Sequence, residues 1–217
     1  MLEAKRLDGA AEASLYRNGT SLEATILTAR EALKRLQAKD GHWVFELEAD
    51  ATIPAEYIML EHYLDEIDGD VQTKIAAYLR GIQGEHGGWP LFHDGEVNLS
   101  ASVKAYYALK LAGDDPDALH MKRAREAILE HGGAAHSNVF TRITLALFRQ
   151  VPWRAVPVMP VEIMLLPRWF PFHLSKVSYW SRIVLVPLLL LMAMRPGARN
   201  PRNVGIGELF VTPPFKE

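Results

Sequence analysis

The chain has 217 residues, 49% of them hydrophobic and 23% charged, a composition ordinary for a folded protein with one large domain. Cysteine is absent, which excludes disulfides, thiolate catalysis and zinc–cysteine sites. The formal net charge of −2 conceals an asymmetry: residues 1–130 hold 14 Lys/Arg against 23 Asp/Glu, and residues 131–217 hold 10 against 3.

The first residues, MLEAKRLDGAAEASLYRNG, carry charges where a signal peptide needs an apolar core, so residues 1–20 read as an N-terminal arm of a cytoplasmic protein. Leu22, Ile26, Leu27, Ala29, Leu33 and Leu36 then recur at three- and four-residue steps, which predicts an amphipathic helix through about Ala38. Similar patterns predict helices over about 53–67, 71–83, 99–112, 118–130 and 137–149. Asn98 or Ser100 is placed to cap the fourth helix in the chain, and Gly113 follows its end. The connections 39–41, 84–94 and 132–133 are rich in turn residues, and no stretch alternates with period two long enough for a sheet.

Two of these helices end in the same way. Gln37-Ala38-Lys39-Asp40-Gly41-His42-Trp43 matches Gln83-Gly84-Glu85-His86-Gly87-Gly88-Trp89 at an offset of 46, with Leu33 and Leu79 four positions ahead. A third copy at the same offset keeps Ile128 and Gly132-Gly133 but lacks the Gln and the Trp. A period of this size, with two helices per unit, implies stacked or ring-arranged helical hairpins. In such an element the glutamine amide is suited to backbone groups left free at a helix end. The glycine permits a positive φ, and the tryptophan offers a large packing face.

At these residues the sequence resembles the squalene–hopene and oxidosqualene cyclases, whose QW repeats match Gln37, Gly41, Trp43 and Gln83, Gly87, Trp89. The stretches 43–50 (WVFELEAD), 137–147 (SNVFTRITLAL) and 151–164 (VPWRAVPVMPVEIM) are similar to the same family, so that the likeness covers about residues 20–195. The resemblance implies an all-α fold, an α/α-barrel of helical hairpins occupying residues 21–217 and incomplete relative to the two-barrel enzyme. It also implies squalene or a related polyene as substrate, no cofactor, and peripheral attachment to a membrane. The family starts its reaction with the central Asp of an Asp-x-Asp-Asp motif. No such motif is present here, so the catalytic acid is expected on a C-terminal part of the enzyme, carried on a second chain or lost by truncation. The acidic clusters 65–68 and 114–117 read as caps or solvated turns, ionised in the ordinary way.

Two groups of residues are candidates for function. Phe140, Arg142, Thr144 and Phe148 belong to a family-like helix expected to wall the cavity, where aromatic faces attract carbocations; plain core packing, with Arg142 in an internal salt bridge, is the alternative. The run 183–194 is apolar and bounded by Arg182 and Arg195, too short for a bilayer span and interrupted by Pro187. A buried core helix and an interfacial helix both fit it. The arginine flanks, the preceding PRWFPF and the resemblance favour residues 167–195 as a membrane-docking segment. Trp169, Phe170, Phe172, Tyr179, Trp180, Leu188 and Leu190 then make the lipid contact, with Arg168, Lys176, Arg182 and Arg195 drawn to anionic headgroups. Ten of the 13 prolines fall after residue 150, among apolar neighbours, a setting that suits a membrane surface better than nucleic acid. The histidines show no i, i+4 pairing with a nearby carboxylate, so no metal site is expected and surface histidines are the reading. A non-catalytic helical-repeat module that binds isoprenoid lipid or a partner is the second functional reading. A protein prenyltransferase subunit ranks last, for want of a zinc ligand set.

Overall fold

The computed structural model describes residues 22–44 and 49–215, and among these every regular element is helical. The α-helices are α1 (Leu22–Leu36), α2 (Thr52–Leu64), α3 (Gly69–Gly81), α4 (Leu99–Ala112), α5 (Leu119–Glu130), α6 (Val139–Leu147) and α7 (Tyr179–Met194). Short 3₁₀ turns punctuate the chain after α5. The all-helical content is that expected of an incomplete α/α-barrel. Two compact units are present, Met1–Glu48 and Ala49–Glu217, and the N-terminal arm expected over 1–20 lies outside the described residues.

In the first unit, α1 has Glu23 in its first turn and Lys34 and Arg35 in its last, each complementing the helix dipole. Its leucines are exposed and none of its residues is buried. The turn that ends it is closed by its own side chains. Gly41 takes φ +93°, Ala38 N–H donates to the His42 carbonyl at 2.8 Å, and Gln37 Nε2 donates to the Gly41 carbonyl at 2.6 Å. Trp43 Nε1 reaches back to the Leu33 carbonyl at 2.8 Å.

The second unit builds the same turn after α3. Gly87 takes φ +88°, Gly84 N–H donates to Gly88 at 2.9 Å, Gln83 Nε2 to Gly87 at 2.6 Å and Trp89 Nε1 to Leu79 at 2.7 Å. The 46-residue offset is thus an offset of hydrogen bonds as well as of letters. One expectation is corrected: in both copies the indole, not the glutamine, satisfies a carbonyl in the last turn of the preceding helix. The glutamine instead ties the turn to itself, and Gln83 adds a bond to the His120 carbonyl of α5 at 2.9 Å. The degenerate third copy keeps only the helix stop, with Gly133 N–H bonded to Ile128 and Gly132 N–H to Leu129, a Schellman closure.

Helix α4 is the centre of the second unit. Residues 101–109 and Leu111 are all buried, because α2, α3, α5 and α6 pack around it. Asn98 caps it, its side chain accepting from Ala101 N–H at 2.9 Å, and Gly113 ends it with φ +109°. Ser100 caps nothing in α4; its hydroxyl accepts from Asn138 N–H at 2.9 Å.

A helix buried on all sides must find partners for every polar side chain it carries. Ser102 Oγ accepts from Trp89 N–H at 2.8 Å, and Lys104 Nζ pairs with Glu56 of α2 at 2.8 Å. Tyr106 donates to Glu208 at 2.9 Å and Tyr107 to the Val204 carbonyl at 3.2 Å. Lys110 donates to the Gly205 carbonyl at 2.6 Å and pairs with Glu208. The partners at 204–208 lie on an irregular strap, residues 198–210, that carries no helical period. The strap is fastened again by Arg202 Nη2 on the Leu111 carbonyl at 2.9 Å and by Gln150 Oε1 on Ile206 N–H at 3.0 Å.

The two tryptophans make the same bond in different surroundings: Trp89 is 0% exposed and Trp43 46%. Trp89→Ala is therefore expected to cost about 3–5 kcal/mol in denaturant unfolding, through lost packing and a cavity. Trp43→Ala should cost about 1 kcal/mol, mainly the indole hydrogen bond. Equal midpoint shifts for the two variants would contradict this difference.

Candidate functional site

Helix α6 starts where Asn138 accepts from Thr141 N–H at 2.9 Å. It stops short of the expected residue 149 because Arg149 turns left-handed, φ +58°, and Gln150 N–H closes on Leu145 at 2.8 Å. The four residues expected to wall a cavity do not share one face. Phe140 is half exposed, and one turn on, Thr144 returns its hydroxyl to the Phe140 carbonyl at 3.1 Å, so these two stand together. Phe148, at the helix end, is 3% exposed, edge-on to Tyr107 at 5.3 Å and to Tyr63 at 6.2 Å. It is a core residue. Arg142 donates to the Ala155 carbonyl at 3.2 Å, and its buried Nε has no hydrogen-bond partner among the described residues. Its partner is thus a carbonyl, not the carboxylate of an internal salt bridge.

The second candidate region is a surface. From 167 to 176 the chain makes three successive turns, Phe170 N–H to Pro167, His173 N–H to Phe170 and Lys176 N–H to His173. Trp169 (77% exposed) and Phe172 stand outward, and the Phe170 ring lies 5.9 Å from Trp169 and 6.1 Å from Phe172. Ser178 caps α7 by accepting from Ser181 N–H at 3.2 Å. From Ile183 on the helix is apolar all round, and the two readings of the sequence each describe one side of it. Leu189 and Met192 are buried, and Leu188 packs on the core. Tyr179, Trp180, Ile183, Val184, Leu190 and Met194 are exposed, most of them at the three- and four-residue steps of a single stripe. Of the residues expected to contact lipid, Leu188 packs partly on the core and Phe170 is half-buried, whereas Trp169, Phe172, Tyr179, Trp180 and Leu190 are exposed. No helix among the described residues is long and apolar enough to cross a membrane.

Carboxylates and histidines account for the remaining chemistry. Asp114, expected in a solvated turn, is a nearly buried clasp instead: Arg80 grips both its oxygens at 2.6 and 2.9 Å, and His120 Nε2 lies at 2.7 Å. Burial alone would raise its pKa, but the bonds from Arg80 and His120 together outweigh that and hold it below the ordinary range. Glu208 behaves alike: burial opposes ionisation, and Lys110, a backbone N–H and Tyr106 overcome it. Asp68, by contrast, is the helix cap expected, accepting from Asp70 and Val71 N–H. His62 departs from the surface reading. It is 8% exposed, its Nε2 lies 2.7 Å from Gln72 Oε1, and Arg202 faces the ring from the strap. Burial lowers its pKa, the Gln72 bond opposes this, and Arg202 lowers it further. The cationic partners have no local signal, since Arg80 lies 34 residues from Asp114 and Arg202 lies 140 from His62.

Residues 26–217 match the family model described as the squalene-hopene cyclase N-terminal domain. The chain is 61% identical over 194 residues to the squalene–hopene cyclase of Bradyrhizobium diazoefficiens, covering 89% of this chain and 29% of that protein. It is 61% identical over 191 residues to that of Zymomonas mobilis, 88% of this chain and 29% of the relative. The squalene–hopene cyclase of Alicyclobacillus acidocaldarius is 37% identical over 188 residues, 87% of this chain and 30% of the relative. The chain therefore spans about three tenths of the length of these relatives.

Asp114, Glu208 and His62 all have folded-state pKa values below their unfolded ones. Each then favours the fold fully above its unfolded pKa and loses that contribution as pH falls through the folded pKa. Urea midpoints should be flat in mild alkali. They should fall first below 6.5, the ordinary value for His62, and again below 4.5 and 3.8, those of Glu208 and Asp114. His62→Gln should remove the first fall and leave the second; an unchanged first fall in that variant would assign it to another group.

Proposed function

The chain belongs to the squalene–hopene cyclase family, of which it carries the N-terminal domain, and from this we propose that it serves a polyene cyclase as a structural wall and membrane-docking part. The observation that carries the reading is the outward apolar surface of residues 167–194, which no acidic residue interrupts. Squalene and its relatives are dissolved in lipid, so an enzyme that takes them up gains from a face that sits in the bilayer interface. The aromatic side chains suit the headgroup level and the aliphatic stripe of α7 suits the acyl boundary.

The acid for the first protonation comes, in this reading, from outside these 217 residues. Protonating an alkene takes a carboxylic acid kept neutral in a dry site. The nearly buried Asp114 and the half-buried Glu208 are both held toward the ionised form by cationic partners, the wrong state for donating a proton. Phe140 and Thr144 line the cavity side in this proposal. The Thr144 hydroxyl is engaged by its own helix, which leaves a methyl group and the Phe140 ring to meet an apolar chain or a passing cation.

Two measurements test this. The purified chain alone is expected to form no hopene from squalene, and hopene from the chain alone would place an acid within it. In vesicle flotation the wild type should float, and Trp180→Ala/Leu190→Glu should stay behind with an unchanged helical circular dichroism spectrum. Leu188→Glu, which faces the core, should instead lose stability by about 2 kcal/mol or more. Wild type that never floats, or an outward variant that unfolds, returns the surface to the protein interior.

A further inference from the structure

We propose that Lys176 is a clasp for the aromatic loop 167–176, presetting it for insertion into a lipid surface, and is not itself a headgroup ligand. The proposal rests on the membrane-docking reading above. Its basis is the direction of the side chain: Lys176 Nζ donates to the Phe170 carbonyl at 2.9 Å and lies 3.4 Å from the Trp169 carbonyl. It thereby joins the last of the three turns to the first. The side chain of an exposed lysine is costly to hold in one geometry, and here the bonds it makes are at the base of the outward rings.

Backbone carbonyls supply the physical reason. A loop entering the interface loses water from its peptide groups, and each carbonyl left without a donor there costs free energy. The Trp169 and Phe170 carbonyls belong to the two peptides on either side of Phe170, between the leading aromatic side chains, so they are among the first to be dehydrated. The Phe170 carbonyl already accepts from His173 N–H at 3.2 Å; the Lys176 ammonium gives it a second donor and supplies one to the Trp169 carbonyl, which reduces that cost. Holding the first turn shut also keeps the Trp169, Phe170 and Phe172 rings together, in contact edge-on or tilted, and so saves ordering them on arrival.

Charge and exposed apolar area together point to a lipid surface as the occupant. Residues 163–207 contain no Asp or Glu and six Lys or Arg, and Trp169, Phe172, Trp180 and Leu190 are exposed among them, a combination that suits an anionic bilayer, whose headgroups meet the cations while its interface takes the rings. Lys176 is spoken for by the backbone, which leaves Arg168, Arg182 and Arg195, none with a carboxylate partner among the described residues, to meet the headgroups.

The clasp and the headgroup roles separate on vesicles of different charge. Wild type, Lys176→Met and Lys176→Arg of the full chain are compared on phosphatidylcholine vesicles and on phosphatidylcholine with about 30% phosphatidylglycerol. As a clasp, Lys176→Met lowers partitioning about fivefold and equally on both, since the lost bonds are independent of lipid charge. Lys176→Arg, which keeps donors within reach, restores it. In the absence of vesicles, amide hydrogen exchange should quicken in Lys176→Met at 169–176 and stay unchanged in α4. A loss confined to the anionic vesicles, or exchange that does not quicken, overturns the clasp and leaves the docking reading intact. Wild type that binds neither vesicle overturns the docking reading, and this proposal with it.

Discussion

The second unit depends on the burial of α4. Its backbone is satisfied by its own helix, but Ser102, Lys104, Tyr106, Tyr107 and Lys110 take polar groups into an interior where each unpaired one costs free energy. Their partners come from three directions: the amide of Trp89, the carboxylate of Glu56, and the strap at 204–208. The helix is therefore a template as well as a core element. Placing α2, the second glutamine–tryptophan turn and the strap correctly is the same event as satisfying its side chains.

The two glutamine–tryptophan turns separate what is local from what is not. Their internal hydrogen bonds agree to within about 0.1 Å across the two units, so the turn is built by its own seven residues and the helix before it. What differs is the setting. A Cβ on Gly87 would come within 2.6 Å of the Arg123 carbonyl, whereas one on Gly41 meets nothing nearer than 3.9 Å. Glycine is needed at both for the positive φ, and at Gly87 also for the close approach of α5.

Helix α7 and the loop before it show how a surface can be apolar without being misfolded. The inner side of α7 is fixed by Leu188, Leu189 and Met192 on the core, and the outer stripe is left exposed. Such a surface is a liability in water and an asset at a bilayer. The chain's carboxylates tell a consistent story. The two with lowered pKa, Asp114 and Glu208, serve as anchors between elements, so they act in holding the scaffold together and are poorly suited to proton donation.

Much of this was legible in the sequence because it is short-range. The six helices before residue 150, a cap narrowed to Asn98 or Ser100, the stop at Gly113 and the repeated turn all depend on residues within about one or two helical turns of each other. Family membership was legible in the same turns, since the glutamine–glycine–tryptophan spacing is itself a local structure. Only the tertiary structure could decide which side of a uniformly apolar helix faces inward, and so separate Leu188 from Leu190, because no periodic contrast marks the two sides. The same holds for Phe148, which turns inward at the end of α6 to meet Tyr107, and for the strap, whose anchors lie far from α4 in sequence and carry no period. Hydrogen bonds and ring contacts between distant residues are satisfied by position in space, and position is settled by the packing of the whole unit around α4.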